Sequence, residues 1–363
     1  MNTYHVIGLM SGSSLDGLDI AYCQFDFVNN QWAYKILIAE VVPLPGKRME
    51  DLKQLPSATA KTFCQVDARL GSFFGECVNS FIEKHALQDK VHFIASHGHT
   101  IFHFPDKKFT AQIGNGAALA ATVRLPVVCD FRTADIALGG QGTPIVPIGD
   151  KLLCTDYTFC LNIGGIANIS GKSADNIVAF DICAANQVLN YLAGLLGQEY
   201  DANGETARGG NLDKELLAQL NTLEFYSRPY PKSLDNSFSR EMVLPILELS
   251  DISIEDKLRT YTEHIAVQVA GHIKRIVKAE KMNADTEHKM LVTGGGAFNA
   301  FLLERINAQT KILVQVPGEE LIKFKEAVVI ALMGVLRRRN EVNVLSSVTG
   351  ATKDSIGGAV YLP

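Results

Sequence analysis

The chain has 363 residues, of which 47% are hydrophobic and 20% charged, the composition of a globular protein with packed cores. This composition excludes disorder as the main state, and a formal net charge of -5 disfavours nucleic-acid binding by counterion release. No apolar stretch approaches the roughly 20 residues needed to span a bilayer, and no signal-peptide pattern opens the sequence. Seven cysteines without a C-x-x-C pair favour a reducing cytoplasm. A chain of this length is expected to form two lobes.

Two short apolar runs near the start predict a β-hairpin. Residues 4–10 form its first strand and residues 18–25 its second, and the turn Ser11-Gly-Ser-Ser-Leu-Asp-Gly17 between them is rich in glycine and serine. Such a turn can present backbone N–H groups and hydroxyls to phosphate. A helix over 67–84 follows the hairpin.

Three histidines follow the next predicted strand, which covers residues 92–96 and ends in the polar cluster Ser96-His-Gly-His-Thr100. His97, His99 and His103 lie close together, which raises the possibility of a metal site. The helical H-x-x-x-H spacing with a nearby glutamate is missing, however. We therefore expect these histidines to lie on a solvated loop.

The best candidate for a lobe boundary is the glycine-rich loop over residues 138–144, which follows a predicted strand at 126–131. We expect an N-terminal lobe of residues 1–135 that carries the first phosphate hairpin. Residues 346–363 are expected to return to that lobe. Residues 136–345 would form the C-terminal lobe.

The expected C-terminal lobe repeats the pattern of apolar strand and glycine turn. A second hairpin contains the turn Asn162-Ile-Gly-Gly165, and a strand at 177–180 leads to Asp181. A further strand at 290–293 leads to Gly294-Gly-Gly296 and then a helix. One glycine turn alone usually only satisfies backbone geometry, but three in this order favour a site that binds a nucleotide.

Residues 201–239 read as a polar insertion with prolines and glycines. Helical periodicity returns over 258–279, and a last helix is predicted over 326–339. We interpret the basic run Arg337–Arg339 as a solvated helix end.

With these motifs in place, the chain resembles the bacterial anhydro-N-acetylmuramic acid kinases almost end to end. The matching motifs are Gly8-Leu-Met-Ser-Gly-Ser-Ser-Leu-Asp-Gly17 with Asp19, Ser96-His-Gly-His-Thr-Ile101, Asp130-Phe-Arg132 with Gly139-Gly-Gln-Gly142, Leu161-Asn-Ile-Gly-Gly-Ile-Ala-Asn168, Gly294-Gly-Gly-Ala297 with Asn299, and Val348-Thr-Gly-Ala351. The sequence departs from the family where FDTGPxN reads Phe180-Asp-Ile-Cys-Ala-Ala-Asn186. Asp181 and Asn186 are kept there.

The resemblance implies an α/β protein with a two-lobed, actin-like ATPase (ribonuclease H-like) fold, in which mixed sheets flanked by helices border a central cleft. It also implies a kinase that uses ATP and Mg2+. Water would open 1,6-anhydro-N-acetylmuramic acid, and O6 would be phosphorylated to give N-acetylmuramic acid 6-phosphate. The expected partners are this amino sugar and ATP, with no nucleic acid and no membrane, and a homodimer is left open.

Asp181 is the candidate general base. Activating water near the anomeric carbon requires a carboxylate, and Asp181 follows a predicted strand, where such groups are well placed. The alternative is that Asp181 caps the next helix.

The resemblance also assigns the binding residues. The first phosphate turn would use Gly12, Ser13, Ser14, Asp16, Gly17 and Asp19, with Asp16 and Asp19 near Mg2+ through water. The second phosphate turn would use Gly164 and Gly165, and the adenosine would lie on Gly294, Gly295 and Gly296. The sugar would contact His97, Thr100, Arg132, Asn186 and Glu326.

Arg132 is the natural partner of the lactyl carboxylate because its planar fork matches a carboxylate with two hydrogen bonds. The alternative for Arg132 is an ion pair at the surface or between lobes. Two other functions stay open, namely a kinase for a different sugar, permitted by the insertion at 201–239, and a non-catalytic sugar or nucleotide sensor.

Overall fold

The computed structural model describes residues 2–12, 17–174, 176–235, 237–283 and 286–363. The strands are β1 Thr3–Ser11, β2 Leu18–Val28, β3 Gln31–Val42, β4 Phe93–Phe104, β5 Phe109–Ile113, β6 Val127–Cys129, β7 Phe159–Ile163, β8 Ile166–Lys172, β9 Ile177–Ala184, β10 Lys289–Thr293, β11 Leu313–Gln315 and β12 Ala359–Tyr361. The α-helices are α1 Gly46–Gln54, α2 Ala60–Lys84, α3 Gly116–Val123, α4 Thr133–Ala137, α5 Pro147–Leu153, α6 Asn186–Gly194, α7 Glu205–Gly209, α8 Lys214–Asn221, α9 Glu224–Ser227, α10 Leu244–Glu248, α11 Ile254–Ala279, α12 Ala300–Thr310, α13 Glu319–Arg339 and α14 Ser346–Thr349. Within these ranges, no helix combines the length and the apolar content that crossing a bilayer requires.

The chain divides into two compact units, one of residues 1–153 with 324–363 and one of residues 154–323. The two divisions therefore fall at 153/154 and within α13, not at 135/136 and 345/346 as the sequence suggested. Contacts within the first unit explain why the first division falls after residue 153 and not after residue 135. The backbone N–H of Gln141 donates to the carbonyl oxygen of Thr349 at 2.8 Å, which ties the loop at 138–144 to that unit.

Asp135 fastens the same loop from inside the first unit. Its buried carboxylate accepts hydrogen bonds from the Gly142 N–H and the Thr349 hydroxyl, each at 2.7 Å. The carboxylate thus links the Gly142 end of the loop to Thr349, and the loop belongs to the unit that supplies both partners. Glycine content alone could not predict this.

The sheet of the first unit is mixed. Strands β1, β2 and β3 form an antiparallel meander, and β4 and β6 continue the sheet parallel to β1. Helix α13 packs on this sheet, where a Cβ at Gly8 would lie 2.0 Å from the Ala327 carbonyl oxygen. Glycine at position 8 therefore permits the helix to approach β1 closely.

The sheet of the second unit repeats this plan. Strands β7, β8 and β9 form the antiparallel meander, and β10 and β11 continue it in parallel. The predicted fold class, α/β with mixed sheets flanked by helices in two units, is confirmed. The predicted hairpin that turns at Gly164 and Gly165 is present as β7 and β8, and the first predicted hairpin is present as β1 and β2.

The segment 201–239 is not a polar loop, contrary to the expectation from its prolines and glycines. It contains α7, α8 and α9, and side chains from it enter the core of the second unit. Phe225 and Tyr226 are buried there. Helices α7 and α8 pack against the long helix α11, which gives their apolar residues a surface to cover.

The basic run at the end of α13 is not simply solvated. The Arg337 Nε donates to the Gly358 carbonyl oxygen at 2.7 Å, and the Arg339 guanidinium lies 4.5 Å from the centre of the Phe27 ring. Arginine stems and guanidinium planes cover apolar surface readily, so this helix end is part of the packing of the first unit.

Candidate functional site

In the second unit, polar residues form a row across the sheet near one edge. Thr293, Asn162, Asn168 and Asp181 are successive cross-strand partners on β10, β7, β8 and β9. Residues opposite one another on neighbouring strands share a face. The chain directions bring the carboxyl ends of β7, β9 and β10 to the same edge, so the row lies beside the two glycine turns.

The third glycine turn requires glycine for steric reasons. Gly294 has φ 82°, and a Cβ there would lie 2.7 Å from the Ile163 carbonyl oxygen. A Cβ at Gly296 would lie 2.3 Å from the Ile163 side chain. The turn after β10 therefore packs directly against the end of β7, which leads into the second turn.

Gly294→Ala is expected to lower the free energy of unfolding by about 1–3 kcal/mol, because alanine is strained at this backbone conformation and meets β7. Urea unfolding measures this loss. The control is Gly271→Ala, because Gly271 lies within α11 with no atom near its missing Cβ, and alanine favours a helix. Equal effects of the two changes would contradict the steric argument.

The second glycine turn is joined to the start of α6. The carbonyl oxygens of Gly164 and Gly165 accept hydrogen bonds from the N–H groups of Asn186 and Ala185, at 3.1 and 2.8 Å. The Asn186 side chain donates to the Ile163 carbonyl oxygen at 3.3 Å. The structure thus places Asn186 beside the glycine turns, and its contact with the sugar stays a prediction.

Asp181 lies within β9, which runs on to Ala184 instead of ending at 180 as predicted. Its Oδ2 accepts a hydrogen bond from the Leu234 N–H at 2.8 Å, and none of the described residues donates to Oδ1. The residue before α6 is Ala185, and α6 has no side-chain cap. The helix-cap alternative for Asp181 is therefore wrong.

Burial raises the pKa of the Asp181 carboxyl above its ordinary value, while the Leu234 N–H and the Lys232 ammonium pull it down. A half-buried carboxylate with one oxygen fixed and the other open can accept a proton from a neighbouring water.

In the first unit, the carboxyl ends of β1, β4 and β6 lie at one edge of the sheet because these strands are parallel. Gly12 follows β1, and the Ser11 hydroxyl lies 3.1 Å from Nδ1 of His99. Gly17 precedes β2, and Asp19 lies on β2 opposite Met10. The predicted phosphate residues Ser13, Ser14 and Asp16 lie outside the described residues.

The three histidines lie on β4, not on a solvated loop as predicted from the polar cluster. His97 and His99 are buried and His103 is half-buried, because β4 continues to Phe104 and pairs with β5. Within the described chain, their ring nitrogens do not form a three-ligand metal cluster.

His97 is a neutral hydrogen-bond acceptor. Its Nδ1 lies 3.0 Å from the Gly98 carbonyl oxygen, which can only accept, so the ring proton is on Nδ1. Nε2 is buried and has no partner among the described residues. Burial, with the nearby Arg132 charge, lowers the pKa of His97 to about 3. Nε2 can therefore accept a hydrogen bond from a hydroxyl or amide of a ligand at neutral pH.

Arg132 follows β6, at the same edge of the sheet. Its Nε is buried without a partner among the described residues, and the nearby Glu326 charge acts on the guanidinium. Glu326 lies on α13. Desolvation of its carboxyl by the surrounding protein raises the pKa of that carboxyl, and the Arg132 charge partly offsets this. Thr100 accepts a hydrogen bond from the Gln112 amide at 3.3 Å. The Arg132 charge thus acts on both His97 and Glu326.

Sequence reasoning missed three residues near Asp181 in the second unit. Asn162 and Asn168 stand in a quoted motif, and only strand pairing shows that they are level with Asp181. Lys232 comes from the segment 201–239, and no local pattern connects it to β9.

A family model described as anhydro-N-acetylmuramic acid kinase matches residues 4–363. The anhydro-N-acetylmuramic acid kinase of Sulfurovum sp. is 34% identical and is covered, like this chain, over 100% of its length. That of Haemophilus influenzae is 31% identical over 99% of this chain and 98% of its own. Among solved structures, component A of the Acidaminococcus fermentans (R)-2-hydroxyglutaryl-CoA dehydratase overlaps 91% of this chain and 96% of its own, at a TM-score of 0.44 and 12% identity.

Proposed function

Because the chain belongs to the anhydro-N-acetylmuramic acid kinase family and is an ATP-dependent kinase of that sugar, we propose that Asp181 is the general base of its reaction. The observation that carries this role is the arrangement of the carboxylate. Its Oδ2 is held by the Leu234 N–H, its Oδ1 is open, and it lies level with the glycine turns on one sheet edge. The alternatives, another sugar or a non-catalytic sensor, are not favoured by a family match over residues 4–363.

The proposed reaction has two bond exchanges. Asp181 takes a proton from water as the water oxygen bonds to C1 of the sugar and the C1–O6 bond breaks with its electron pair on O6. O6 then bonds to the γ-phosphorus of ATP, and the bond from that phosphorus to the β–γ bridging oxygen breaks to release ADP. The proton on Asp181 passes to solvent. The raised pKa of Asp181 makes the carboxylate a stronger base than an exposed aspartate.

The glycine turns are proposed to hold the nucleotide. Gly164 and Gly165 would present their turn to phosphate, and Gly294 to Gly296 would let the adenosine approach the backbone, since no side chain intervenes. The catalytic work in phosphoryl transfer is mostly positioning and charge stabilisation.

Mg2+ is proposed to bind near Asp19 and Asp16 through water. The donor type fits, because Mg2+ prefers carboxylate and water oxygens, and Asp19 is half-buried at the start of β2. When bound, the ion would neutralise charge on the phosphates of ATP.

The sugar is proposed to contact the first-unit edge. His97 Nε2 would accept from a hydroxyl or the acetamido N–H, and Arg132 would bind the lactyl carboxylate. Thr100 and Glu326 would supply further polar contacts of the first unit, and Asn186 would supply one from the second unit.

A cytoplasmic location is proposed on the chemistry of the cysteines. All seven are free thiols, and Cys23, Cys77, Cys154, Cys160 and Cys183 are buried. Free buried thiols are typical of a reducing compartment.

The reaction in ¹⁸O-labelled water tests the proposed bond exchanges. One labelled oxygen is expected at the C1 hydroxyl of the product and none in its phosphate, as read promptly by mass spectrometry of fragment ions. The unlabelled sugar supplies O6, so this result follows only if water breaks the C1–O6 bond. Label in the phosphate with none at C1 would contradict the scheme.

A further inference from the structure

Lys232 lies directly beside Asp181, although the two are far apart in the sequence. The Asp181 N–H donates to the Lys232 carbonyl oxygen at 3.1 Å, and the Leu234 N–H returns a hydrogen bond to Oδ2 of Asp181. Strand β9 is the last strand of its sheet on this side, so the segment 232–234 covers its open edge. This short segment therefore fixes the direction of the Asp181 carboxylate.

The side chain of Lys232 anchors that segment inward. Its ammonium donates to the Phe225 carbonyl oxygen at 2.9 Å and lies 4.3 Å from the centre of the Phe225 ring. It also lies 2.8 Å from Nε2 of His272 on α11. Nδ1 of His272 lies 2.8 Å from the Gln268 carbonyl oxygen, so Nδ1 carries the ring proton and Nε2 accepts from the lysine.

The groups that face Lys232 are Arg275, Arg228, Cys183, Asp181 and His272. Arg275 donates to the Tyr226 carbonyl oxygen and Arg228 pairs with Glu224 at 3.0 Å. Burial raises the pKa of the Cys183 thiol, so it stays protonated. Among the described residues that face the ammonium, Asp181 is thus the only anion.

We propose that Lys232 is a positioning residue for the reaction: its anchored ammonium holds the segment 232–234 against β9 and keeps the Asp181 carboxylate ionised and oriented. The proposal rests on the proposed function only in taking the ionised Asp181 carboxylate as the general base of the reaction. Lys232 itself does not touch the reacting atoms in this assignment.

The charge of Lys232 is available only over part of the pH range. Burial first, and then the nearby Arg275 charge, lower the pKa of Lys232 to about 8. The ammonium is therefore present near pH 7, and it is lost as the pH rises past about 8. An opposite charge close to a carboxyl lowers the pKa of that carboxyl, so removal of the ammonium raises it.

The test measures the Asp181 carboxyl directly, by ¹³C NMR of the full-length protein labelled at its aspartate carboxyl carbons, with Asp181→Asn to assign the signal. In Lys232→Met, the midpoint of the Asp181 titration is expected to move up by about one pH unit. The acidic limb of the kcat profile should move up by the same amount. Lys274→Met is the control, because Lys274 is an exposed lysine of α11, and both midpoints should stay in place.

The wild-type protein provides a second measurement if Lys232→Met does not fold. Its Asp181 signal is expected to show a further shift near pH 8, when Lys232 loses its proton. An unchanged Asp181 midpoint in Lys232→Met, or a flat Asp181 signal across pH 8 in the wild type, would overturn the proposal. A raised midpoint without any change in the kcat profile would support the positioning of Asp181 by Lys232 and would count against Asp181 as the base.

Discussion

Asp181→Asn is expected to reduce kcat for sugar-dependent ADP release by about 10²–10⁴-fold, the usual contribution of a general base. Asparagine has the same shape and can still accept the Leu234 N–H, so the fold around position 181 should be kept. Its amide cannot take a proton from water. The measurement is ADP release with Mg-ATP and 1,6-anhydro-N-acetylmuramic acid.

The pH profile of the wild type adds a second check on the same residue. Since burial raises the pKa of Asp181, kcat should rise with pH through a midpoint above the ordinary aspartate value, because only the ionised form accepts a proton. Asp251→Asn is the matched control, since Asp251 is exposed in the same unit, and its kcat should equal that of the wild type. If Asp181→Asn kept more than about a tenth of the wild-type kcat, the base would have to be another group.

Arg132→Ala is expected to raise the KM for the sugar by roughly 10- to 150-fold, the factor that corresponds to about 1.5–3 kcal/mol for a hydrogen bond to a charged group. The loss should depend on the lactyl carboxylate. With 1,6-anhydro-N-acetylglucosamine, which has no such group, KM should be nearly equal in the variant and the wild type. Arg132→Lys should fall between them, because lysine keeps the charge but loses the planar fork.

Arg69→Ala serves as the control for Arg132, since Arg69 is an exposed arginine of the same unit and lies on α2. Its KM values for both sugars should match those of the wild type. An equal rise of KM for both sugars in Arg132→Ala would show that Arg132 supports the site without binding the carboxylate.

Much of the fold followed from local signals in the sequence. The hairpin around residues 11–17, the turn at Gly164 and Gly165, and the strand before Gly294 could all be predicted, because turn residues and apolar runs act over a few neighbouring positions. The fold class and the candidate base Asp181 were also within reach, the latter because a motif of the family keeps it.

Side-chain surroundings could not be predicted in this way. The polar run around His97 predicts a solvated loop, but pairing with β5 extends β4 and buries the ring, which then becomes a neutral acceptor. The glycine content of the loop at 138–144 predicts a lobe boundary, but the carboxylate of Asp135 holds the loop within the first unit. Both outcomes depend on partners distant in the sequence.

The sequence by itself determined the family, the order of strands and glycine turns, and the residue types available for catalysis, since these depend on short-range patterns. Only the tertiary structure decided that Asn162, Asn168 and Asp181 form one row, and that the Lys232 backbone contacts Asp181. The physical reason is that register across strands and the burial of charge are set by non-local pairing, which brings together residues with no pattern in common.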